Sequence, residues 1–148
     1  MSETPAAASS SPLRDRVKFA AFEFRRLPSG SCHARVVLEW QPGVPHVGEA
    51  EGIMSQAGML RCAAQAAVTA LESAISGRVT FELLGVKSLR AFDSNVIIVS
   101  LTTHGEGPAR RIVGSYLAEE DLERGAALAV LHATNRLLGN VFARVGTL

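Results

Sequence analysis

Leu60 to Gly77 reads LRCAAQAAVTALESAISG, and Leu122 to Gly139 reads LERGAALAVLHATNRLLG. In the first stretch Leu60, Ala64, Ala67, Leu71 and Ile75 recur at the spacing of one helical face. Their neighbours Cys62, Ala63, Ala66 and Ala70 are small, which lets such a helix lie close on a sheet. Gly77 suits the left-handed position after a last helical turn. Sixty-two positions later, Leu60, Ala64, Ala67, Val68 and Ile75 fall on Leu122, Ala126, Ala129, Val130 and Leu137, and Gly77 falls on Gly139. Self-similarity over a whole element signals a duplicated structural unit.

Upstream of each helix the hydrophobic period is two rather than 3.6. Strands are expected over Val17–Leu27, Cys32–Trp40 and Pro45–Gly52, separated by Pro28–Ser31 and Gln41–Gly43. Phe22 and Phe24 fall out of phase with Val17 and Phe19, so a bulge is expected near Ala20–Ala21. In the second half, strands are expected over Arg78–Ala91, Asn95–His104 and Ala109–Ala118, and a helix over Glu120–Ala143. At the same offset Val79-Thr80-Phe81 echoes Val17-Lys18-Phe19, Leu89 echoes Leu27, Ile98-Val99 echoes Val36-Val37 and Gly114 echoes Gly52. The expected fold is α+β: two βββα pseudo-repeats, about 15–77 and 78–148, with antiparallel sheets and two main helices packed on them. Residues 1–14 are expected to be a disordered tail, since they have little apolar surface to offset ordering entropy.

The 148 residues suit one domain. Hydrophobic content is 47% but aromatics make up only 5%, so Ala, Val, Leu and Ile must build the core. Fifteen Lys and Arg against 14 Asp and Glu leave a net charge of +1. Such a balance argues against nucleic acid or an anionic membrane, both of which need a concentrated basic face. No run approaches the roughly 18 apolar residues of a membrane span, and residues 1–11 lack the basic and apolar regions of a secretory leader. Cys32 and Cys62 form no CxxC and read as free thiols in a reducing compartment. The expected location is therefore cytoplasmic.

No catalytic constellation is visible. His33, His46, His104 and His132 include no pair at helical ligand spacing, so no metal is expected. No Gly-x-Ser-x-Gly elbow is present, and Glu119-Glu120-Asp121 reads as acidic residues at a helix start. The expectation is a non-enzyme without cofactors. A strand-to-helix loop presents backbone N–H groups to small anions. The ligand-binding candidates are therefore Gly52, Ser55 and Gly58 in one half, with Gly114, Ser115 and Asp121 in the other.

Two features exceed what one two-layer unit needs. The last helix has a second apolar face with Leu128, Leu131, Leu138 and Phe142, and Val96–Leu101 is apolar on both pleat faces. A homodimer is expected, with Leu128, Leu131 and Leu138 as interface candidates.

Ala34-Arg35-Val36, Gly48-Glu49-Ala50-Glu51-Gly52, Val113-Gly114, Asp121-Leu122 and Ala133-Thr134-Asn135-Arg136-Leu137-Leu138 support a resemblance across two-thirds of the chain. The chain resembles the C-terminal regulatory domain of 2-isopropylmalate synthase and citramalate synthase. That family's Gly-x-Gly-Pro-Val-Asp-Ala loop is replaced after Gly52 by Ile53 to Arg61, and the catalytic barrel does not accompany the domain. The resemblance implies a non-catalytic regulatory homodimer that binds a small metabolite, an amino acid or related acid. The alternatives are a structural or interaction subunit for a partner protein, and an enzyme whose site forms across the dimer.

Overall fold

The computed structural model describes residues 17–105 and 107–146, with backbone only for 136 and 138–146. The expected tail at 1–14 and the side chain of Leu138 lie outside the described residues. The order is β1 (Lys18–Arg26), β2 (Ser31–Glu39), β3 (Pro45–Ile53), α1 (Gln56–Ala74), β4 (Thr80–Ala91), β5 (Ser94–His104), β6 (Arg110–Ala118) and α2 (Leu122–Gly146). Each half is a three-stranded antiparallel meander followed by a helix, as the repeat predicts. The expected bulge lies between Phe19 and Ala21. A corresponding bulge in β4 lies between Leu83 and Gly85. Among the described residues, no helix is long and apolar enough to cross a membrane.

β2 shows why these residues form a half-buried sheet: Cys32, Ala34, Val36 and Leu38 are buried on one pleat face. α1 covers that face. A Cβ on Gly48 of β3 would land on the Ala66 carbonyl oxygen and the Ala70 backbone nitrogen of α1. Gly114 of β6 has the same relation to Ala129 and Ala133 of α2. Helix backbone therefore rests on strand backbone, and the alanine-rich faces make that approach possible.

The halves are not self-contained. α1 packs on β2 and β3 and also on β4, while α2 packs on β5, β6 and α1 and reaches β1. Polar contacts join the halves as well. Arg61 on α1 donates through Nη2 to the Leu83 carbonyl (2.8 Å), and the Phe81 N–H donates to Glu72 Oε2 (2.8 Å). The Arg124 guanidinium lies 5.2 Å from the centre of the Phe19 ring. Because α2 packs on both its own sheet and α1, the described residues of its second apolar face, Leu128 and Leu131, are used within the chain. Leu131, expected at a dimer interface, is instead a core residue at 6% exposure, and Leu128 is half-buried against the same core.

The single offset does not survive in three dimensions. Phe19 opposes Leu38 beside one bulge, and Leu83 opposes Leu101 beside the other. Val36 pairs with Gly48, and Val99 pairs with Gly114. The counterpart of Gly114 is therefore Gly48, not Gly52. Ala66 and Ala70 correspond to Ala129 and Ala133. Each element has slipped by one to four positions from the sequence alignment, because loops and the first turn of α1 differ in length. Gly139 is no stop either, since α2 continues to Gly146.

Gly48→Ala and Gly114→Ala should each lose roughly 1–3 kcal/mol of stability, because the added methyl meets backbone that cannot rotate away. Denaturant unfolding of the two variants beside Gly77→Ala, whose Cβ would meet no atom within 4 Å although φ is +72°, checks this. The first two should lose more than the third.

Candidate functional site

The end of β3 and the start of α1 enclose a cavity of about 410 Å³. Its lining includes Glu51, Gly52, Ile53, Ser55, Gly58, Arg61, Cys62 and Gln65. The first predicted loop, Gly52, Ser55 and Gly58, is thus brought together on one cavity. Ser55 caps α1: its Oγ accepts from the Gly58 N–H at 2.9 Å, and its carbonyl accepts from the Met59 N–H at 2.8 Å. A Cβ on Gly58 would strike the Ile53 carbonyl oxygen, so the tight loop requires glycine there. No acidic residue lies in the first turn of α1, which leaves the positive end of its dipole facing the cavity without a carboxylate on that turn.

The cavity belongs to the first half because the two helix starts differ. Asp121 caps α2 through Oδ1, which accepts from the Arg124 N–H at 3.0 Å, in the role Ser55 plays on α1. Two turns separate Ser55 from Cys62, while one turn separates Asp121 from Gly125. The added turn carries Ala57 and Gly58, which line the cavity. At the floor, a Cβ on Gly52 would meet the Cys62 Cβ at 3.0 Å. In the second half the glycine is on the helix, where a Cβ on Gly125 would meet the Ala118 Cβ at 2.8 Å.

The second predicted trio does not converge. Gly114 is sealed under α2, Ser115 lies on the opposite face of β6, and Asp121 is the helix cap. Asp121 shares an open groove with Phe22, Phe24, Arg26, Glu120 and Glu123. Sequence reasoning missed Arg61, Cys62 and Gln65. Their spacing of three, four and seven from Gly58 would have placed them on one helical face with it.

The cavity contains no activated nucleophile. The Cys62 thiol lies 3.3 Å from the Ala50 carbonyl oxygen and 3.9 Å from that of Cys32, and the Cys32 thiol lies 3.7 Å from the Ile53 carbonyl oxygen. Burial, then the neighbouring Cys32 thiol, push Cys62 up from its usual 9.0 to about 12. A thiol so held is protonated at neutral pH. Histidines lie elsewhere: His33 meets Glu49 at 2.7 Å and His104 meets Glu82 at 3.5 Å. Among the described residues, no three His, Cys, Asp or Glu side chains form a metal-binding group. The chain matches no family model and no curated protein.

The raised thiol predicts a pH dependence. Folding favours the protonated form, so its contribution is complete below about pH 9 and is lost as pH rises toward about 12. Denaturant unfolding between about pH 8 and 10 should show stability falling more steeply in the wild type than in Cys62→Ala. Equal slopes would show that folding leaves the Cys62 thiol at its ordinary value.

Proposed function

We propose that this chain is a non-catalytic regulatory module that acts as a homodimer and binds a small carboxylate-bearing metabolite, an amino acid or related acid, in the cavity at the start of α1. The carrying observation is the convergence of Gly52, Ser55 and Gly58 with Arg61 on that cavity. A helix N-terminus and a guanidinium both favour a carboxylate, and Arg61 is held in place by its bond to Leu83. Glu51 and Gln65 supply polar groups on the lining for the rest of a small ligand. The raised Cys62 thiol supports binding without chemistry. The βββα duplication agrees with the resemblance to the synthase regulatory domain.

A thermal-shift screen against amino acids and 2-oxo acids tests the proposal. A ligand at a hundred times its Kd adds about 2.7 kcal/mol, which raises the midpoint by several degrees. Ala57→Trp fills the cavity from an exposed position and should abolish the shift while leaving the unliganded midpoint nearly unchanged. A flat screen would sink the metabolite-binding reading.

A further inference from the structure

We propose that two copies of this chain meet face to face through the outer surface of the second sheet, with β4 of one copy over β6 of the other. This rests on the homodimer part of the function proposed above and names the surface.

The two sheets form an internal comparison. On the face of the first sheet turned away from the helices, neighbouring strands set Glu23 beside Arg35 beside Glu49, and Arg25 beside His33 beside Glu51. Apart from one row of small apolar residues, Ala21 beside Val37 beside Val47, that is a surface made for water. The corresponding face of the second sheet sets Leu89 beside Val96 beside Leu117, then Lys87 beside Ile98 beside Ser115. Leu89 is 43% exposed, Leu117 51% and Val113 60%. The hairpin between β4 and β5 carries Phe92 at the end of this surface, 95% exposed. Phe92 and Asp93 have φ of 53° and 60°, a conformation that suits Asn-Gly and that bulky residues rarely adopt. The position thus carries an exposed aromatic ring against local preference.

The distribution of charge selects a second copy as the occupant. At the far end of the same face, Glu82 on β4 and Arg111 on β6 flank Thr102. A two-fold axis parallel to the strands sets each copy's β4 over the other's β6. Glu82 then meets Arg111 twice, and Leu89 meets Leu117 twice, with Val96 and Ile98 between them. Glu82 also contacts His104 within its own chain at 3.5 Å. Aligned sheet packing of this kind is ordinary. Three strands about 4.8 Å apart and some ten residues at about 3.3 Å give a face of roughly 450 Å² per copy. The total of about 900 Å², before the hairpin tip is added, falls below the range of stable interfaces and within that of weak, transient ones. The dimer is therefore expected to dissociate on dilution.

Sedimentation velocity over a concentration series, with the full chain and no ligand, tests this. Wild type should pass from monomer to dimer. Leu117→Glu and Phe92→Asn should each raise the dissociation constant at least tenfold. Phe92→Asn suits the turn geometry, so its monomer should unfold no earlier than wild type, which separates loss of the interface from loss of the fold. Glu82→Arg should weaken the dimer, and adding Arg111→Glu should restore it. A wild-type chain that stays monomeric throughout overturns both this surface and the homodimer reading. A dimer indifferent to Leu117→Glu and Phe92→Asn overturns the surface alone.

Discussion

The close approach of helix to strand backbone at Gly48 and Gly114 governs much else in this molecule. Only a helix with alanines at the contact can lie there, and only a strand with glycine beneath it can receive them. This explains how a core with so few aromatic residues closes. The interior is filled by shortening distances rather than by large side chains, and Ala63, Ala64, Ala66, Ala67 and Ala70 are all fully buried on α1. It also decides where a cavity can exist. Along β3 the two backbones leave no space until the strand ends at Ile53, and there the extra turn of α1 overhangs the strand.

The second constraint is that neither half finishes its own core. α1 reaches across to β4, where Glu72 accepts from Phe81 and Arg61 donates to Leu83. Phe81 and Leu83 are buried by this contact. A single βββα unit would leave its helix with one face uncovered, so the pair is the folding unit. The two apolar faces of α2 have the same origin. α2 packs on β5 and β6 and on α1, and Leu128 and Leu131 join the core there.

The element order, the antiparallel meanders and the first bulge were legible because they rest on periodicity. Two helical stripes and the out-of-phase Phe22 and Phe24 are local signals. The register of the repeat was not legible. Gly52 and Gly114 align at the offset of the helices, yet Gly114 does the work of Gly48. Insertions in loops and in the first turn of α1 shift each element separately, and sequence similarity among alanines does not reveal a slip of one residue. The first ligand loop was legible because a strand end, a serine cap and two glycines lie within one short stretch. The second was not, because its glycine faces the helix and its serine the other side of the sheet. Leu131 was read as a dimer contact because the sequence does not show that α1 packs against α2.

The two halves share an architecture but differ at their surfaces. The first half has a cavity at its helix start and a largely polar outer face, while the second has an open acidic groove at its helix start and an outer face that carries Leu89, Val96, Ile98 and Leu117. Arg61 connects them, since it lines the cavity and donates to Leu83 at the β4 bulge. β4 in turn presents Glu82 and Leu89 on the outer face. If a carboxylate in the cavity draws the guanidinium toward itself, it changes the support of the strand through which two copies would meet. Linkage then requires reciprocity: whatever factor the ligand applies to dimer affinity, dimerisation applies to ligand affinity. A bulge is a suitable place for such a link, because it is where the ladder is already interrupted and the strand bends most readily.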